Sequence, residues 1–252
     1  MPKDEFSLDK ENIDKYLKEL AKTYRKKAGK GYPAELILIG GASIIINYGF
    51  RQMTQDIDAV YYASAAMKDA IREVGDRNAL PEDWLNSDFT NTSSYSDKLR
   101  QFSTYYRTYS NVLQIRTISE EYLIAMKLKS ARNYKNDFSD VAGILMNDRE
   151  GQNQITLNSV ILATEDLYGS WYNIPENART YIEDLFGTKD LKRVYLEQKQ
   201  SEKEKSENLT EFMRKHRNVK IDENNANSIA EYVSKEKTKG EKRRTRKESH
   251  IE

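Results

Sequence analysis

A pair of glycines separates two short apolar runs, and their surroundings restrict the chain to a strand, a tight turn, a helix and a second strand. Glu35–Ile39 is a run of strand character that breaks at Gly40-Gly41. Ser43–Tyr48 then forms a helix despite its three isoleucines, because Gly49 ends it and the glycines before it allow a sharp turn. Thr54–Tyr62 is the next strand and carries Asp56 and Asp58. Residues i and i+2 of a strand project from the same face, so both carboxylates can converge while Ile57 points into the core. Strands disfavour Asp, and two unpaired carboxylates on one face repel each other. A hard divalent cation, Mg²⁺ or Mn²⁺, resolves both problems. The alternative is a strand end where each Asp is solvated or pairs with Arg51 or a lysine.

The glycine turn has two readings of its own. Gly40 and Gly41 let the backbone approach a ligand closely, the following helix N-terminus offers free N–H groups to phosphate, and Ser43 adds a hydroxyl donor. In isolation the same residues are an ordinary strand-to-helix turn. Joined to the acidic pair they describe a phosphate pocket beside a metal site.

Elsewhere the pattern alternates between helices and strands as far as Asn153. An amphipathic helix spans Glu11–Lys27, with Ile13, Tyr16, Leu17, Leu20 and Tyr24 on one stripe, and Ala65–Val74 is another helix. Asp76–Gln101 is a long polar excursion, and Tyr105–Tyr109 with Val112–Ile118 reads as a hairpin about Ser110-Asn111. Ser119 caps a helix with Glu120 and Glu121 in its first turn, running through Lys127 to about Arg132. A further helix starts near Asp137. Beyond Asn153 only helices follow, at Leu157–Leu167, Ala178–Phe186 and Leu191–Glu211. The expected division is residues 1–150, a helical region 151–233, and a charged segment 234–252 that buries too little apolar surface to order itself.

Composition narrows the chemistry. The chain has no cysteine and two histidines, His216 and His250, so thiolate chemistry is excluded and a histidine-based triad or zinc site is disfavoured. Net charge is +1, so no global field draws the chain to nucleic acid or membrane. The basic segment from Lys235 onward, eight Lys or Arg against four Glu, is a solvated tail or a local RNA contact. No apolar run approaches the roughly 18 residues of a membrane span, and Met1–Asp9 lacks a signal-peptide core. A cytoplasmic protein is the expectation.

The stretch Gly40-Gly41-Ala42-Ser43, Tyr48-Gly49-x-Arg51 and Thr54-x-Asp56-Ile57-Asp58 resembles the signature of the polymerase-beta nucleotidyltransferase superfamily. It is most similar to the AbiEii-like branch, which includes bacterial toxins of toxin–antitoxin and phage-defence systems. Lys127, with Asp137 and Asp140, occupies the places of that branch's later lysine and Asp-x-x-Asp element. The resemblance covers about residues 35–146. It implies an α+β fold, a small mixed sheet flanked by helices, with an all-α C-terminal region. It also implies transfer of a nucleoside monophosphate from a nucleoside triphosphate to RNA (tRNA first) or to a protein hydroxyl, with an antitoxin as protein partner. Asp56 and Asp58 are then the metal ligands, and Gly40, Gly41, Ser43, Arg51 and Lys127 the triphosphate contacts.

Each later residue also has a plainer role. Lys127 among apolar neighbours is a snorkelling lysine, a phosphate ligand or a general base. Asp137 and Asp140 stand in a first helical turn, where Asp is an ordinary cap. Arg51 reaches the triphosphate or neutralises the acidic pair, and the clustered Tyr105, Tyr106 and Tyr109 read as a half-exposed strand face. One departure from the superfamily stands out. The third strand carboxylate, often the general base, is replaced on Val112–Ile118 by Gln114 and Arg116. Either Asp137 or Asp140 substitutes, or one metal is held, or the site is inactive. Transfer to a small hydroxylated molecule and a non-catalytic nucleotide-binding role are the competing readings.

Overall fold

The structure, a computed structural model, describes residues 6–61, 64–151 and 155–248. Helix α1 (Lys10–Ala28) starts at Asp9, whose carboxylate accepts the Asn12 N–H at 2.8 Å, and stops at Gly29, where φ is +87°. Strand β1 (Ala34–Leu38) leads into α2 (Gly40–Asn47), then β2 (Ile57–Tyr61) and α3 (Ala65–Asn78). The polar excursion contains a two-residue strand, β3 (Leu85–Asn86), and two short 3₁₀ turns. The hairpin strands are β4 (Ser103–Tyr109) and β5 (Leu113–Ile118), turning at Ser110 and Asn111, both with φ of +53°. Helices α4 (Glu120–Ser130), α5 (Asp137–Gly151), α6 (Leu157–Tyr168), α7 (Glu176–Gly187), α8 (Leu191–Lys215) and α9 (Ala226–Glu248) complete the chain.

The strands form one mixed sheet in the order β3-β2-β1-β5-β4, with β1 antiparallel to β2 and parallel to β5. Strand alternation divides the core between the two faces. Leu36, Leu38, Ile57 and Ala59 pack on one side with the apolar stripes of α1 and α3. Ile37, Ile39 and Val60 point the other way, into a cluster with Ile124, Ala142, Val160, Ile182 and Leu191. That second cluster takes in side chains from both sides of residue 150, so the late helices close the same core that the sheet opens. The α+β architecture with a helical C-terminal region is as the motifs implied. Among the described residues no helix is long and apolar enough to cross a membrane.

Gly143 in α5 holds this face tight, because a Cβ there would collide with the Phe50 ring. Phe50 is itself wedged against Tyr48 and Tyr195. Gly143→Ala is therefore expected to destabilise the fold by about 1–3 kcal/mol, measurable by chemical denaturation. An unchanged denaturation midpoint would mean that Phe50 moves aside freely.

Two expectations need correction here. Residues from 234 onward were expected to be disordered, yet α9 continues to Glu248, leaving 249–252 outside the described residues. Lys, Arg and Glu are good helix formers, and α9 is tied to α8, with Asn208 donating to the Ser234 hydroxyl at 3.1 Å and Lys237 donating to the Asn208 side chain at 2.8 Å. Second, Ser119 holds the N-cap position of α4, but its hydroxyl donates to the Phe102 carbonyl at 2.8 Å instead of capping the helix.

Candidate active site

Gly40 opens α2 with φ of +57°, a backbone conformation that glycine adopts without a steric penalty. Its missing side chain also makes room. A Cβ on Gly40 would lie 3.0 Å from the Asp58 Oδ2, and one on Gly41 would lie 2.5 Å from the Thr54 hydroxyl and 2.7 Å from Arg51 Nη2. The glycine turn is thus a seat on which Asp58, Thr54 and Arg51 rest. The end of β1 is pinned to it, with the Ile39 N–H donating to the Asp58 carbonyl at 3.0 Å.

Strand β2 begins at Ile57, so Asp56 stands just before it and Asp58 is its second residue. Both acids line a cleft of about 1240 Å³ that also exposes Gly40, Gly41 and Arg51. Neither is ion-paired to any described residue. Asp56 accepts only a long hydrogen bond, 3.4 Å, from the Asn86 amide, and Asn86 pairs with Asp58 in the β2–β3 register. Burial pushes the Asp58 carboxyl up to about 6, and the Asp56 charge adds to that; Lys127, Arg132 and Lys135 pull the other way without cancelling it. Two close carboxylates with no paired cation create a demand for positive charge.

The later motif residues do something else. Lys127 is buried, with its ammonium 2.9 Å from Asp137 Oδ1 and 2.8 Å from Asp140 Oδ2. Arg132 meets Asp137 at 2.8 Å, and Arg51 meets Asp140 at 2.7 Å. Burial alone would depress Lys127, but Asp137 and then Asp140 outweigh it and hold the ammonium above the ordinary lysine range. Burial likewise works against Asp137, whose carboxyl is nonetheless held far below the usual range by Lys127 and Arg132. These five groups, three cations and two carboxylates, form one ion-paired network in the wall of the cleft. In this arrangement Lys127 is neither a free phosphate ligand nor a base, and Asp137 and Asp140 are not free to complete a metal site. Arg51 touches the seat of the acidic pair but takes its ion pair from Asp140.

Ser43 departs furthest from its expected role. It is fully buried inside α2, its hydroxyl has no partner, and it does not line the cleft. A helical residue three positions past Gly40 points back into the core here, so Ser43 cannot reach a ligand. The missing third carboxylate is not recovered either. Arg116 donates to the Ser103 hydroxyl at 2.7 Å and lies 3.9 Å from Glu35, and neither it nor Gln114 faces the cleft. Among the described residues no group of three or more His, Asp or Glu converges in a way that could hold a metal ion.

Two residues near the site escaped the sequence reading. Lys135 lines the cleft in the turn between α4 and α5. Glu202, from α8, is buried and accepts the Phe138 N–H at 2.8 Å and the Ser139 N–H at 3.3 Å, so it caps the N-terminus of α5 from another helix. In the sequence Glu202 is one acid of a charge-rich helix, with no local signal to separate it from its neighbours.

Glu202 also predicts a pH dependence. Burial raises its carboxyl to about 7; hydrogen bonds from Ser139 and Phe138 oppose this, and Asp137 and Asp140 reinforce it. A raised folded-state pKa gives stability that is complete below the unfolded value near 4.5 and is lost as pH rises through about 7. Between pH 5 and pH 8 the protein should lose about 2.5 kcal/mol through this group. Glu202→Gln should flatten that part of the profile in thermal melts, and a variant with the same slope as the parent would refute the assignment.

A mixed five-stranded sheet that presents an acid pair beside a glycine-floored strand-to-helix turn is the layout of a nucleotidyltransferase domain. The chain belongs to the family described as nucleotidyltransferase of unknown function (DUF6036), whose model matches residues 12–173. The matched region runs from α1 to the 3₁₀ turn after α6 and contains both carboxylates, the glycine turn and the buried ionic network. No curated protein and no solved structure is detectably similar to the chain.

Proposed function

We propose that this chain transfers a nucleoside monophosphate from a nucleoside triphosphate to an acceptor hydroxyl and releases pyrophosphate. The observation that carries this reading is the acidic pair itself: Asp56 and Asp58 share the cleft with Gly40 and Gly41, and no described cation is paired with them. Two carboxylate oxygens suit one Mg²⁺ or Mn²⁺ ion, which completes its shell from water and substrate phosphate. Such an ion would neutralise charge on the triphosphate as the bond to the leaving pyrophosphate breaks. Arg51 and the Gly40-Gly41 backbone shape the floor on which the phosphates would lie. Lys127 stays protonated between two acids, so it does not take the acceptor proton.

The acceptor we favour is RNA, tRNA first, or a protein hydroxyl. Support comes from the AbiEii-like resemblance and from the cleft, which at about 1240 Å³ exceeds the upper range of ordinary single-ligand pockets, about 1,000 Å³. The resemblance also underlies the finer reading of a cytoplasmic toxin restrained by an antitoxin protein. A second reading, nucleotide binding without turnover, draws on the missing third carboxylate.

Incubation with α-labelled triphosphates, Mg²⁺, cellular RNA and small hydroxylated acceptors tests these readings together. Label on RNA or protein with pyrophosphate release is the expected result. Label confined to small acceptors assigns the chain to small-molecule modification. Triphosphate binding without pyrophosphate release assigns it to the non-catalytic class.

A further inference from the structure

The cleft is rich in basic side chains, yet most are already committed. Arg51, Lys127 and Arg132 are held by Asp137 and Asp140. On α8, Lys199 donates to the Tyr195 hydroxyl at 3.1 Å, and Lys203 lies 4.0 Å from Glu207. Lys135, unlike Lys199, has no side-chain hydrogen bond to a described residue. It is solvent-accessible, lines the same cleft as Asp56 and Asp58, and has no carboxylate within ion-pairing distance among the described residues. Its charge nevertheless reaches the acidic pair, since Lys135 acts on Asp58; packing around its stem and then Arg132 hold its own ammonium below the ordinary lysine range, with Asp137, Asp56 and Asp58 acting in the opposite sense. Arg214, in the last turn of α8, also lines the cleft without an ion pair, but it is not among the charges that dominate at Asp58.

We propose that Lys135 is the cation that binds the triphosphate in this cleft, a role that rests on the nucleotidyltransferase reading above. A triphosphate carrying one divalent ion remains net negative. Arriving beside two carboxylates, it meets repulsion that a nearby positive charge relieves. The Lys127 ammonium, buried and shared between two carboxylates, would have to give up both contacts to turn to a ligand. An exposed lysine in a turn at the cleft wall, with no carboxylate to give up, can do so, with three donors on a flexible stem. The free lysine of the α4–α5 turn thus takes the place that spacing alone assigned to Lys127.

Calorimetric titration of the full chain with inorganic tripolyphosphate and with ATP, both in Mg²⁺, tests this assignment. The wild-type protein should bind both. Lys135→Ala should weaken both by about tenfold, the worth of one charge-assisted hydrogen bond. Lys135→Arg should retain most of the affinity, and Arg214→Ala should change nothing. If Lys135→Ala binds as the wild type does, or if Lys135→Arg loses as much as Lys135→Ala, the assignment of Lys135 is overturned while the nucleotidyltransferase reading stands. If the wild-type protein binds neither probe, both fall together.

Discussion

Asp58→Asn is expected to reduce nucleotidyl transfer by about a thousandfold or more, because removing a ligand removes several kcal/mol of charge stabilisation at the transferring phosphate. The fold should survive. Asn preserves the shape that rests on Gly40, and it removes one of two mutually repelling carboxylates that have no ion-paired partner. The melting temperature should therefore hold or rise slightly without metal. Mg²⁺ with a triphosphate should raise it for the wild-type protein and not for the variant, a readout independent of turnover. Asp56→Asn should behave in the same direction. Full activity in either variant would eliminate the metal-ligand assignment.

Asp137→Ala is expected to have the opposite signature, damage to stability before damage to chemistry. Asp137 is buried and receives Lys127 at 2.9 Å and Arg132 at 2.8 Å. Its removal leaves Arg132 without its carboxylate and the buried Lys127 with Asp140 alone. Breaking one member of such a buried network typically costs about 3–5 kcal/mol, which for a chain of this size corresponds to a fall of about 10 °C in melting temperature. A variant that melts like the parent but has lost transfer would instead place Asp137 in the chemistry, as the family resemblance suggested. The contrast between Asp58 and Asp137 separates a site residue from the scaffold beneath it, although both are acids bordering one cleft.

Several elements were legible because their causes are local. Gly40 sits where φ is positive, and that need is visible as a glycine between an apolar strand and a helix. The stripes of α1 and α3 were readable because a helix repeats at a period of 3.6. Other features carried no such mark. The expected strand Thr54–Tyr62 is shorter, Ile57–Tyr61, so Asp56 lies in the bend before it and reaches the cleft beside Asp58 through that bend and not through strand periodicity. β3 is two residues long, too short for any periodic signal, yet its Asn86 stands opposite Asp58. The continuation of α9 depends on α8, which lies some 30 residues earlier in the chain.

By itself, then, the order of residues determined which short segments form strands and helices and where the turn must carry glycine. Those are outcomes of backbone sterics and local repeat. Tertiary packing alone decided which charges remained available. It folded Asp137 and Asp140 onto Lys127, Arg51 and Arg132, sank Ser43 into the core, drew Glu202 across to cap α5, and left Lys135 exposed at the cleft wall without an ion pair. Whether a charged side chain binds a ligand or a neighbour depends on what lies within a few ångströms of it, and residues up to 89 positions apart settled that here.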